Sequence, residues 1–236
     1  MFSLNCKGRL YRFPKPAVMG IINLTPDSFY EESRKKGTEA VLWQVEQMLN
    51  DGAAMIDLGG QSTRPGSSRV SEEEELQRVL PALEAVVRRF PDVFISIDTY
   101  YARVAKEAVT AGALLVNDVS AGTIDANLLP QVAELNVPYI LMHMQGTLET
   151  MQQKPAYRNV ATEVFDFFSF KRKALYDAGI YDVILDPGFG FGKTVAHNLA
   201  LLKQLALFKQ FQNPILIGLS RKATVYKTLG VTAARP

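Results

Sequence analysis

Short apolar runs alternating with longer amphipathic stretches predict an α/β protein with a parallel sheet. Polar residues at the ends of nearly all the runs predict that the sheet is a TIM (β/α)8 barrel, because a barrel gathers its C-terminal strand ends at one mouth. A third observation agrees. Val183-Ile184-Leu185-Asp186 is an apolar run that ends on a carboxylate and opens into Pro187-Gly188-Phe189-Gly190-Phe191-Gly192-Lys193. A run bounded in this way reads as a buried strand, and its glycines let the backbone approach a ligand closely. Neither phosphate-cradle pattern fits this loop, since Gly188-x-Gly190-x-Gly192 is not GxGxxG and Gly192-Lys193 lacks the upstream glycine of a P-loop.

In order, Ala17 to Leu24 reads as the first strand. Thr38 to Asn50 reads as a helix with Val41, Val45, Met48 and Leu49 on one face. Met55 to Leu58 is the second strand, followed by a helix that Ser71 opens and that runs to Arg89. The acids Glu72 to Glu75 lie in its first turn, where the helix dipole favours negative charge, so they mark a helix start rather than a metal site. Val93 to Ile97 is the third strand, Tyr101 to Ala111 a helix stopped by Gly112, and Leu114 to Val119 the fourth strand. Val137 to Met142 is the fifth. A helix from Val160 to Ala178 leads to the sixth strand, and one from Val195 to Gln210 separates it from the seventh, Ile215 to Gly218. Asn23, Asp57, Asp98, Asn117, His143, Asp186 and Ser220-Arg221-Lys222 fall at or near strand ends, whereas a doubly wound sheet would concentrate such groups at one switch point.

The 236 residues, 47% of them hydrophobic, suit one domain with a large core. A net charge of +2 from 26 basic and 24 acidic residues gives no basic surface for nucleic acid. The single cysteine, Cys6, excludes an internal disulfide, and with two histidines there is no metal-finger spacing, so a reducing cytoplasm is the expected location. No apolar run reaches membrane-spanning length, and Met1 to Pro16 lacks a signal-peptide core.

Six runs also carry a resemblance. They are Asn23 to Phe29, Asp57 to Gly66, Ser96 to Thr99, Asn117 to Ser120, Asp186 to Lys193 and Ser220 to Lys222, and in that order they resemble the successive motifs of dihydropteroate synthase across nearly the whole chain. The resemblance implies a TIM barrel that condenses 6-hydroxymethyl-7,8-dihydropterin diphosphate with p-aminobenzoate, releasing pyrophosphate in folate biosynthesis, and that is a target of sulfonamides. It implies that Asp98, Asn117 and Asp186 hold the pterin, with Lys222 donating from the seventh strand and Met142 and Phe191 beside the ring. Asp98, Asp186 and Lys222 are thereby the expected catalytic groups. Asn23 matches the residue linked to Mg²⁺, the expected cofactor. Thr63 and Arg64 match the diphosphate contacts, with Arg221 a further cation. Phe29, Pro65, Phe191 and Lys222 match the p-aminobenzoate slot.

The chemistry fits beside the resemblance. Displacing diphosphate from a methylene on a flat heterocycle calls for buried acceptors, cations for the leaving group and an apolar slot for the arylamine. If carbon–oxygen cleavage runs ahead of attack, a fixed carboxylate such as Asp98 stabilises the developing cation. An arylamine is nucleophilic when neutral, so no poised base is required; His143 is then expected to be a packed or hydrogen-bonded histidine, and His197 to lie at a helix start. The polar loop Asp27 to Lys36 reads as a lid, although Tyr30-Glu31-Glu32 stands where relatives are richer in glycine. Alternatives are a corrinoid-linked methyltransferase domain and a pterin-binding paralogue without turnover. The expected partners are the two small-molecule substrates, with a homodimer allowed, and neither nucleic acid nor membrane. Seven strand–helix units are countable. Residues 1–236 are thus expected to be one pterin-binding barrel domain without its eighth unit and the family's Arg-x-His pair there, either because the natural protein is longer or because the barrel is open.

Overall fold

The computed structural model describes residues 1–25, 34–62, 69–220 and 222–230. Phe29, Thr63, Arg64, Pro65 and Arg221, with most of the expected lid, lie outside the described residues. The chain opens with an antiparallel hairpin of β1 (Phe2–Cys6) and β2 (Arg9–Phe13). Six strands then form one parallel sheet in sequence order: β3 (Met19–Asn23), β4 (Met55–Gly59), β5 (Phe94–Asp98), β6 (Leu115–Asp118), β7 (Tyr139–Met142) and β8 (Val183–Asp186). Around them run α1 (Arg34–Asn50), α2 (Glu72–Arg89), α3 (Ala102–Ala111), α4 (Leu128–Leu135), α5 (Val160–Asp177), α6 (Val195–Lys203) and α7 (Ala223–Leu229). Sequential parallel strands with helical crossovers are TIM-barrel architecture.

Strand side chains alternate, and the two faces separate cleanly. Ile56, Leu58, Ile97, Val116, Leu141 and Leu185 join the core between sheet and helices, facing Val79 and Leu83 of α2, Val104 and Ala108 of α3 and Phe168 of α5. Met55, Phe94, Leu115, Ile140 and Ile184 point inward at the opposite end from the mouth, where Leu4 and Cys6 of the hairpin close over them. Helix starts follow local chemistry. Ser71 caps α2 by accepting from the Glu74 N–H, Asn159 caps α5, and Thr194 with His197 makes a capping box on α6, which places His197 at a helix start as expected.

Five expectations change. The hairpin was not anticipated: its two-residue turn, Lys7-Gly8, has positive φ at both positions (52° and 86°), a type I′ geometry usually announced by Asn-Gly. Helix α4 was also missed, because it has eight residues and carries Pro130 in its first turn. Helix α1 begins at Arg34, inside the expected lid, since Arg and Lys support a helix that Gly37 obscures in the sequence. The expected helix to Gln210 breaks at Gln204 into a 3-10 segment, Leu205–Phe211, which buries Phe208 and Phe211 against Phe168. Finally, Ile215 to Gly218 is not a full strand. It holds one bridge, Leu185 to Ile215, with hydrogen bonds from Leu185 N to Pro214 O and from Leu216 N to Leu185 O, both 2.9 Å. Among the described residues no strand pairs with its other side, so the segment lacks the second neighbour that flattens a chain into a central strand.

Candidate active site

Strand register places the first polar group. Asn23 pairs with Gly59, Gly59 with Asp98, and Asp98 with Asn117, so these four positions form one row across β3 to β6 at the mouth. Gly59 keeps that row flat: a Cβ there would lie 3.2 Å from the Asp98 Cβ. Below the row, Asp57 is buried, and its Oδ2 accepts from Asn117 Nδ2 at 2.9 Å. This bond fixes the Asn117 amide with its nitrogen inward, leaving its carbonyl oxygen as an acceptor. Among the described residues Asp57 Oδ1 has no partner of full hydrogen-bond geometry, with the Ser96 hydroxyl near enough to lower the Asp57 pKa.

Acids crowd around Asp98. Burial pushes the Asp98 carboxyl well above the usual carboxylate range, and the charges of Asp57, Glu75 and Asp118 push it the same way. Burial also raises Asp57, against the Asn117 hydrogen bond. Both shifts favour the protonated forms over those of exposed acids, and hydrogen-bond donors from a ligand would oppose them. Behind the wall sits Glu75 of α2, fully buried, and among the described residues its carboxylate oxygens find no partner of full hydrogen-bond geometry, Thr99 only partly offsetting the burial. A Cβ on Gly60 would come within 2.9 Å of its Cγ. Two consecutive glycines therefore separate Asp98 from Glu75.

Across the mouth stands a second group. Met142 pairs in register with Asp186, and Gly188 N donates to Asp186 Oδ1 at 2.7 Å, leaving Oδ2 for a ligand. Burial raises the Asp186 carboxyl, while the positive charge of Lys222 opposes the shift. Lys222 follows the bridge segment and precedes α7, rather than ending a seventh strand. Its Nζ donates to Phe189 O and lies 4.7 Å from the centre of the Phe191 ring. Burial lowers the Lys222 pKa, with Asp186 resisting. Phe191 also packs on the cluster of Tyr100, Met142, Leu148 and Met151, an apolar wall beside these charges.

The structure thus brings Asn23, Asp98 and Asn117 into one group and Met142, Asp186, Phe191 and Lys222 into another. His143 does not join either. Its ring turns outward, edge-on to Phe167 of α5 at 4.9 Å, and it bonds the Lys193 Nζ at 2.9 Å, as a packed and hydrogen-bonded histidine should. Burial and then the Lys193 charge lower its pKa to about 3, so it is neutral.

Comparison with known proteins now bears on this geometry. The family described as pterin binding enzyme matches residues 19–236. The dihydropteroate synthase of Escherichia coli (strain K12) is 44% identical over 218 residues, covering 92% of this chain and 77% of that protein. That of Haemophilus influenzae (strain ATCC 51907 / DSM 11121 / KW20 / Rd) is 46% identical over 212 residues, 89% of this chain and 76% of the relative. Among solved structures, a Yersinia pestis dihydropteroate synthase with a sulfonamide drug superposes with a TM-score of 0.89 at 41% identity, covering 98% of this chain and 84% of that one. The chain belongs to the dihydropteroate synthase family. A Xanthomonas albilineans member of this synthase family, solved with 7,8-dihydropteroate, superposes with a TM-score of 0.83 at 37% identity, over 97% of this chain and 81% of that one.

Within this dihydropteroate synthase frame, three residues beside the mouth escaped sequence reasoning. Asp57 appeared to be a strand-end group, yet it is the third residue of β4 and faces inward one pleat below the row. The alternation Met55, Asp57, Gly59 was the available signal. Glu75 was hidden in a run of four acids, and its place on the apolar face with Leu76 and Val79 was the clue. Lys193 entered only as the end of the glycine-rich motif, and it is buried.

Proposed function

We infer that this chain condenses 6-hydroxymethyl-7,8-dihydropterin diphosphate with p-aminobenzoate, giving 7,8-dihydropteroate and pyrophosphate. The observation that carries the reading is the pairing of two polar groups, the acceptors Asp98 and Asn117 and the acceptor–donor pair Asp186 and Lys222, across one barrel mouth in a dihydropteroate synthase scaffold. The carbon–oxygen bond between the pterin methylene and diphosphate breaks, a carbon–nitrogen bond to the arylamine forms, and the amine loses one proton to solvent or to the departing pyrophosphate.

Asp98, Asn117 and Asp186 accept hydrogen bonds from the pterin amino and ring N–H groups. Those donors supply what burial removes, so pterin binding favours the ionised form of Asp98, which then faces the positive charge that develops as diphosphate leaves. Lys222 donates to the ring, and its stem and the Phe191 ring border the p-aminobenzoate slot, completed by Phe29 and Pro65. Met142 packs under the pterin. Thr63, Arg64 and Asn23 take the diphosphate side. Among the described residues no cluster of three or more His, Cys, Asp or Glu could cage a metal. The exposed Asn23 carboxamide would offer Mg²⁺ one oxygen ligand, which suits a cation that keeps most of its waters beside a diphosphate. When bound, Mg²⁺ neutralises charge on the leaving group.

The test is to mix the protein with the pterin diphosphate, Mg²⁺ and p-aminobenzoate and to measure pyrophosphate and dihydropteroate together. Equal release of both is expected. Pyrophosphate without dihydropteroate, or pterin binding with neither product, would overturn the reading.

A further inference from the structure

We propose that Lys193 is a positioning residue for this reaction: from within the glycine loop it ties the segment after β7 to the segment after β8, and so sets where Phe191 and Lys222 stand against Asp186. The proposal rests on the reading of Phe191 and Lys222 given above. Lys193 is 3% exposed, yet its Nζ finds a full set of acceptors in His143 Nδ1 at 2.9 Å, Gly188 O and Phe191 O at 3.0 Å, and His143 O at 3.2 Å. An ammonium group has three hydrogens, so its hydration shell is replaced entirely by protein atoms.

The two loops are pressed together where it acts. A Cβ on Gly188 would lie 1.9 Å from His143 O, and one on Gly192 would lie 2.5 Å from Gln145 O. The backbone at both is left-handed, with φ of 69° and 60°. Lys193 takes the carbonyls of residues 188 and 191, while Lys222 takes the carbonyl of Phe189 between them. The loop is therefore a spacer gripped by two lysines, and the second of them is a substrate-side group.

A purely structural role would be an uneconomical use of this residue. Burial lowers the Lys193 pKa to about 7, with Asp186 opposing, and a buried cation that merely fills space is commonly replaced by an apolar side chain without loss of stability. What an apolar side chain cannot do is hold three carbonyls and an imidazole at hydrogen-bond distance. Displacement of catalytic groups by about 1 Å costs up to about a hundredfold in rate.

The experiment compares the whole protein with Lys193→Met, after circular dichroism and thermal melting have shown that the variant is folded at assay temperature. Two readouts are taken. The first is steady-state turnover, in which the positioning role predicts that kcat/KM for p-aminobenzoate falls by about ten- to a hundredfold per folded molecule. The second needs no turnover: the rate of acetylation of Lys222 by acetic anhydride, followed by peptide mass spectrometry, is expected to rise severalfold as Lys222 loses its fixed acceptor. A lower melting temperature with unchanged kcat/KM and unchanged Lys222 acetylation would overturn the proposal. If the wild-type protein itself yields no dihydropteroate, the reaction assigned above fails, while the acetylation comparison still decides the role of Lys193. Should Lys193→Met not fold, Lys193→Gln, which keeps two donors for the carbonyls but no charge, carries the same comparison.

Discussion

Replacing Glu75 by Met should stabilise the protein, and by an amount that depends on pH in a defined way. Glu75 is fully buried between α2 and the Gly59-Gly60 wall, and among the described residues neither carboxylate oxygen has a partner of full hydrogen-bond geometry, so Thr99 and Arg78 offset the burial only in part. Burial is the main cause that lifts its pKa from an ordinary 4.5 to about 7. The folded-state pKa is the higher one, so the native state binds the extra proton. The contribution of the neutral acid is fully present below pH 4.5 and is lost as pH rises through about 7. At 1.36 kcal/mol for each tenfold change in proton affinity, the loss across that window is on the order of 3 kcal/mol. Methionine has similar length, no charge and enough flexibility to fill the space under Gly60. Urea unfolding of both proteins at pH 5, 6, 7 and 8 should therefore show Glu75→Met gaining relative to wild type by about 2 to 3 kcal/mol between pH 5 and pH 8. Asp57, Asp98 and Asp118 titrate in both proteins, so the difference isolates Glu75 apart from its coupling to Asp98. A stability difference that stays constant across this range would refute the assignment of Glu75 as a buried, proton-bearing acid.

Asp98→Asn keeps the shape of the acceptor row but removes the charge, so turnover in the pyrophosphate assay should fall by about a hundredfold or more; near-normal turnover with weaker pterin binding alone would make Asp98 a docking group. Because the Asp98 pKa is raised in the free protein and pterin N–H donors favour the carboxylate, pterin binding at neutral pH should expel a proton. Calorimetry in two buffers of different ionisation enthalpy should give different apparent enthalpies, and identical values would contradict the shift. If Phe29, Thr63, Arg64 and Pro65 assemble over bound diphosphate, p-aminobenzoate should bind poorly to the free protein and well after a pterin and pyrophosphate are added. Equal arylamine affinity with and without pyrophosphate would exclude that order.

The sequence made the barrel legible because the parallel strands β4 to β8 are buried on both faces. Runs such as Met55 to Leu58 and Val183 to Leu185 are therefore continuous apolar segments, and their polar ends mark the mouth. Asn23, Asp98, Asn117 and Asp186 could be read for the same reason. What was not legible depends on tertiary context. The Lys7-Gly8 turn adopts a left-handed pair without the residues that usually announce it. Ile215 to Gly218 has the composition of a strand, but its pairing with β8 stops at the single Leu185–Ile215 bridge, and how far two segments pair is set by tertiary packing. Asp57, Glu75 and Lys193 are charged residues whose burial is set by packing partners distant in sequence, so composition places them on the surface. Asp118 belongs with them: it faces the helix layer, where the Ser120 and Gly122 N–H groups and the Tyr139 hydroxyl each donate to it at 2.7 Å.

The hairpin that plugs the floor of the barrel has a consequence for how the protein is made. Asn5 N donates to Asp182 Oδ1 across 177 residues of chain, and Leu4 and Cys6 pack on Ile140 and Ile184. At about 5 to 20 residues per second on the ribosome, roughly 10 to 35 seconds pass between synthesis of the plug and emergence of the strand it must seal. For that interval the two-stranded unit is marginal on its own, with an apolar face and open edges exposed to solvent. Folding yield at high expression should therefore respond more to chaperone supply and to charge added near the turn than to stabilisation of the mouth.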